Sequence, residues 1–92
     1  MQKAVVLWEQ APDQEWYARH AELCEKVPRV TFRAGRIFGT PGGESEYAQY
    51  AEFEFSDKDA FNRGMGSDEM KAAVEDAQTQ GIPFHVHFVD IA

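Results

Sequence analysis

His20 has two chemically useful neighbours at helical spacing, Tyr17 one turn before it and Cys24 one turn after. An imidazole can take and return a proton near neutral pH, which suits cofactor-free isomerisation, cyclisation or decarboxylation. Tyr17 could orient a ligand oxygen. Cys24 beside a histidine has the makings of a Cys–His nucleophile pair, although a cysteine on an apolar helix face is more ordinarily a small core residue. Trp16 and Phe53 are core aromatics first and a shelf for a flat ligand second. The expected site is therefore His20 as the catalytic residue, with Trp16, Tyr17, Cys24 and Phe53 contacting substrate. The competing reading makes His20 a structural residue, hydrogen-bonded to a backbone carbonyl.

Other candidates carry less. His85 and His87 share one face of a strand, a spacing that can chelate a metal. A third ligand would be needed, and no spacing marks one, so no metal is expected and burial at or beside an interface is the simpler reading. Arg33 could hold a carboxylate, but a solvated or interfacial arginine is the plainer assignment. Gly39 to Gly43 lacks Walker spacing and reads as a turn.

The element that must position His20 is visible in DQEWYARHAELCEKV, residues 13 to 27. Wound at about 100° per residue, it puts Trp16, Tyr17, His20, Leu23, Cys24 and Val27 in one stripe. Glu15, Ala18, Arg19, Glu22, Glu25 and Lys26 fall opposite. Pro12 and Asp13 suit the first turn, and Pro28 should end the helix near Val27. Before it, Ala4 to Trp8 is an apolar run that suits a strand buried on both faces. After it, Val30 to Phe38 alternates, Gly39-Thr40-Pro41-Gly42-Gly43 turns, and Glu46 to Phe55 is an aromatic strand, predicting a hairpin. Ser56 to Asp59 offers a helix start, interrupted by Gly64-Met65-Gly66. Ser67 can cap a second piece carrying Met70, Ala73, Val74 and Ala77. Gly81 and Pro83 stop that piece before a last strand from Phe84 to Ile91.

The order βαββαβ predicts an α+β, ferredoxin-like fold with a four-stranded antiparallel sheet. Right-handed crossovers put both helices on one face, leaving the other bare. With Ala4 to Trp8 and Phe84 to Ile91 apolar on both sides, that bare face should not be polar. It therefore calls for a partner, most simply a second copy of the chain.

Composition sets the outer limits. Ninety-two residues suggest one domain, 1–92, whose core is modest. Hydrophobic residues at 43% and aromatics at 13% are too rich for a disordered chain. Nine basic against sixteen acidic residues, net −7, with no basic run, argue against nucleic acid and anionic membranes. One cysteine excludes an internal disulfide framework. MQKAVVLW is too short an apolar run for a signal or a membrane span, so a cytoplasmic protein is expected.

Taken together, these segments resemble the EthD-like family of the dimeric α+β barrel superfamily. The matching features are the strand ending VVLWEQ, then Pro12-Asp13 and Trp16-Tyr17-x-x-His20-x-x-Leu23. They continue through Gly35-Arg36-x-x-Gly39-Thr40-Pro41 and Phe55-x-Asp57-x-x-Ala60-Phe61 into Met65-x-Ser67-x-Glu69. Nearly the whole chain is covered. The family commonly follows the histidine with x-Pro-Leu; Glu22 stands in place of that proline, so the helix should run on smoothly. The resemblance implies a homodimer with two sheets face to face, and a small pocket in each subunit between sheet and helices. It also implies action on a small hydrophobic organic molecule, in catabolism or tailoring. The reading of His20 as acid or base calls for no cofactor; haem or quinone oxygen chemistry, known from relatives with the same architecture, has the least support in this sequence. The alternative is a non-catalytic small-molecule binding or accessory protein serving a partner oxygenase.

Overall fold

The computed structural model describes all 92 residues, Met1–Ala92. Its elements are β1 (Gln2–Trp8), α1 (Gln14–Glu25), β2 (Thr31–Arg36), β3 (Gln49–Phe55), α2 (Lys58–Met65), α3 (Asp68–Gln78) and β4 (Phe84–Asp90). The strands form one sheet in the order β2-β3-β1-β4, every neighbouring pair antiparallel. This is the ferredoxin-like arrangement expected from the element order, with the second helical region split into two pieces at Gly66 and Ser67.

Register decides which side chains meet. Ala4 pairs with Phe53 and Phe88, and Phe53 with Phe32, so these residues share the face that the helices cover. Ala4, Cys24, Val27, Phe53, Phe55, Ala60, Met70 and Ala73 form the buried core between sheet and helices. The stripe on α1 faces this core: His20, Cys24 and Val27 are buried, whereas Glu15, Ala18, Arg19, Glu22, Glu25 and Lys26 are exposed. Helix α1 runs unbroken through Glu22.

Several local expectations need correction. Pro12 is not in the first turn of α1; Asp13 is the N-cap, its carboxylate accepting from Trp16 N at 3.1 Å, and Pro12 precedes it. The end of helix α1, by contrast, falls close to Val27 as expected, with Glu25 its last residue and Lys26 its C-cap. Asp57, not Ser56, caps α2, accepting from Ala60 N at 2.8 Å, because the chain leaves β3 only at Phe55 and turns one residue later. The hairpin strands are shorter than their alternation suggested. Pro41 and Gly42 close a tip of their own, with Thr40 and Gly43 exchanging two backbone hydrogen bonds of 2.8 and 2.9 Å. Phe38, fully exposed, has no apolar surface to hold it in the ladder.

The bare sheet face is mixed rather than apolar. Val5, Leu7 and Val89 lie there, but so do Lys3, Arg33, Glu52 and Glu54. The apolar run of β1 misled because β3 beside it, and β2 beyond, alternate: Arg33, Glu52 and Glu54 project to this side, whereas Arg36 projects to the helix-covered one. Arg33 does hold carboxylates, those of its own chain: its guanidinium lies 2.7 Å from Glu52 and 2.6 Å from Glu54. Lys3 and the Tyr50 hydroxyl complete the shell around Glu52 at 3.3 and 2.8 Å.

Candidate functional site

Between α1, α3 and the sheet, packing leaves an apolar cavity of about 60 Å³. Tyr17, His20 and Cys24 reach it from α1, Phe53 from β3, Trp8 from β1 and Phe84 from β4. Val74 on α3 and Val86 on β4, 39% and 45% exposed, mark the side where it approaches solvent. Four residues expected at the site, Tyr17, His20, Cys24 and Phe53, thus share one space. Trp16 does not line it. Its ring stacks on the His20 imidazole instead, with centroids 4.8 Å apart and planes 11° from parallel. Trp8, 1% exposed, meets Trp16, Tyr17 and His20 edge-on at 6.1 to 6.2 Å. The imidazole is therefore clamped in orientation by aromatic contacts.

His20 is 5% exposed, and both of its ring nitrogens are engaged. Nδ1 lies 2.9 Å from Asp76 Oδ2 on α3, and Nε2 lies 3.4 Å from Cys24 Sγ. A carboxylate can only accept here, so Nδ1 carries the proton and Nε2 presents its lone pair. Its partner is thus a carboxylate, not the backbone carbonyl of the structural reading.

Asp76 escaped the sequence analysis, though two signals pointed to it. It follows Ala73 by three residues and flanks Ala77, which places it at the edge of α3's buried stripe. It also puts a carboxylate in the last turn of α3, where no basic residue stands and the macrodipole disfavours negative charge. An acid kept at such a position suggests a tertiary partner.

Burial pushes the Cys24 thiol up to about 12, and the charges of Asp76 and Glu25 add to the rise. Cys24 is thus a neutral thiol at physiological pH, which removes the nucleophile-pair reading in the resting protein. Its S–H can donate weakly to Nε2. Burial, with Cys24 adding, pushes the Tyr17 phenol up to about 12 as well, opposed by the Gln49 and Trp8 side chains. The Tyr17 hydroxyl is enclosed without a formed hydrogen bond.

His85 and His87 lie on the opposite face of the sheet, away from the cavity. His85 Nε2 is 2.7 Å from Glu9 Oε2, and its ring sits edge-on to Tyr47. Nowhere do three His, Cys, Asp or Glu side chains converge as metal ligands would. No helix is long and apolar enough to cross a membrane.

Neither a family model nor a curated protein matches the chain. Solved structures do. The chain is similar to an ethyl tert-butyl ether D (EthD) family protein from Bacillus halodurans, with 28% identity, a TM-score of 0.86, and coverage of 100% of this chain and 99% of that one. A dimeric ferredoxin-like protein from a Jannaschia species matches at 17% identity and TM-score 0.72, over 98% of each chain. SnoaB, a cofactor-independent oxygenase from Streptomyces nogalater, matches at 13% identity and TM-score 0.66, over 98% of this chain and 91% of that one. At those lower identities the likeness is one of fold. The resemblance read from the sequence stands: over its whole length the chain is similar to an EthD family protein, and its fold is ferredoxin-like.

Proposed function

We propose that the protein is a small enzyme that moves a proton on a small hydrophobic molecule, with His20 as general base and acid. The observation that supports it is the His20–Asp76 pair at 2.9 Å beside an otherwise apolar cavity. Asp76 fixes the tautomer, Trp16 fixes the ring plane, and Nε2 faces a space from which bulk water is largely excluded. A carbon acid or hydroxyl arriving there displaces only the weak Cys24 contact. Its proton passes to Nε2, and the resulting imidazolium is stabilised by the Asp76 carboxylate, which itself stays ionised. Return of the proton to another atom completes an isomerisation, cyclisation or decarboxylation with no bound group. SnoaB carries out oxygen chemistry on the same fold without a cofactor, which is consistent with a cofactor-free reading.

The alternative is a binding protein that uses the same cavity to hold a ligand for a partner enzyme. His20→Gln separates the two. An enzyme keeps ligand affinity and loses turnover by about 10²–10⁴-fold; a binding protein keeps its whole function.

We also infer a homodimer formed through the bare sheet face. Val5, Leu7 and Val89 give it apolar surface, and its two cations and two carboxylates are already matched within each chain. The dimeric Jannaschia neighbour supports this. A stable interface should bury more than ~1,200 Å² in total. Sedimentation should give twice the chain mass at micromolar concentration, and Leu7→Asp should halve it; a folded wild-type monomer would refute the dimer.

A further inference from the structure

The cavity beside His20 is too small for its proposed role. About 60 Å³ is well below the ~150 Å³ that encloses a benzene ring, and sites for organic ligands start near ~300 Å³. A second pocket of about 230 Å³ is lined by Pro12, Gln14, Tyr17, Ala18, Arg36 and Gln49. Tyr17 borders both spaces.

The second pocket differs in chemistry from the first. Trp8, Gln49 and Arg36 pair in a row across β1, β3 and β2, and that row continues the helix-covered face of Ala4, Phe53 and Phe32. Arg36 is therefore on the ligand side of the sheet, away from the face inferred to form the dimer. In a chain with sixteen Asp and Glu, this lining contains one cation and no acid. Arg36 takes part in none of the ion pairs that engage Lys3, Arg33 and Arg63. Gln49 is 7% exposed and lies alongside the Tyr17 hydroxyl, the one enclosed side-chain polar atom left without a partner. A guanidinium outside every ion pair, a buried amide and an enclosed phenol thus belong to residues that line one pocket. A planar carboxylate could accept from all three.

We propose that the two spaces are halves of one site, and that its ligand is a small apolar carboxylic acid. The carboxylate sits at Arg36, Gln49 and Tyr17, and the apolar end enters the cavity beside His20. This rests on the proposed proton-transfer reading and adds the substrate class. With the acid group anchored, the atoms that reach Nε2 are those of the hydrocarbon part, a few bonds away.

Two isosteric probes test the carboxylate, phenylacetate and phenylacetamide, titrated by two-dimensional NMR at low ionic strength. Phenylacetate should bind at least fivefold more tightly and shift the amides of Tyr17, Arg36 and Gln49. In Arg36→Gln, an exposed position whose change should leave the melting temperature within a degree or two, the preference should fall to about one. Arg36→Lys should keep part of it, and added salt should erode it. Equal affinities in the wild type, a preference untouched by Arg36→Gln, or no binding of either probe would overturn the proposal. Binding of both probes without preference sinks the carboxylate subsite alone; the proton-transfer reading is then still judged by His20→Gln.

Discussion

Asp76 on α3 holds His20 on α1 through a 2.9 Å contact to Nδ1, joining two helices separated by most of the chain. The pair fixes which nitrogen carries the proton. In the wild type at neutral pH, nitrogen NMR of the His20 ring should show Nδ1 protonated and Nε2 bare. Asp76→Leu removes the acceptor and should release the tautomer preference, while costing about 1–3 kcal/mol from the lost buried hydrogen bond. A ring that keeps its tautomer in the variant would mean that Trp16 and Cys24, not Asp76, set its state.

Gly64 is glycine because of Phe55. A Cβ at residue 64 would sit inside contact distance of Phe55 Cε1 and 2.7 Å from Cζ, and Phe55 is 0% exposed. Gly64→Ala gains about 1 kcal/mol of helix propensity in α2 but must displace a ring with nowhere to go. The expected net loss is about 1–3 kcal/mol in a urea melt. In a Phe55→Leu background the same change should cost much less, a non-additivity that identifies the ring as the cause.

What could be read from the sequence follows from the range of each signal. The stripe on α1 is local: six residues at helical spacing predict His20, Cys24 and Val27 inside, and they are. Asp76 is fifty-six positions from His20, and no local pattern says that the last turn of α3 lies across from the middle of α1. The bare face failed for a related reason. β1 alone looked apolar on both sides, but the character of a sheet face is set by its neighbours' register. Lys3 opposite Glu54, and Val5 opposite Glu52, cannot be known before the strands are paired. The hairpin turn was legible at Pro41-Gly42, but where the ladder stops was not, since that depends on what covers Phe38.

Cys24 should be chemically silent in the folded protein. With its thiol pushed up to about 12 and its side chain 1% exposed, almost none is thiolate at pH 8, and no reagent can approach it. A disulfide-exchange reagent should titrate close to zero thiols per native chain and one after denaturation. Fast labelling of the native protein would show that the cavity opens to solvent far more than the resting structure does, and would restore Cys24 as a candidate nucleophile.

Glu52 should make stability depend on pH in the acid range. Burial alone would raise its carboxyl pKa, but hydrogen bonds from Tyr50, Arg33 and Lys3, with the Lys3 charge, hold it below the ordinary value of 4.5. A carboxyl whose folded pKa lies below its unfolded one contributes stability that is complete above the unfolded pKa. That contribution drains away as pH falls through the folded one. Glu52→Gln keeps the shape and removes the charge, so it should cost about 1–2 kcal/mol at pH 7, discounted for the exposed half of Arg33. The wild type and the variant should converge as the pH is lowered from 5 toward 3. Urea melts at four or five pH values across that window decide the matter. A gap that stays constant with pH would assign the effect to packing at Glu52, and a gap that widens in acid would reverse the sign argued here.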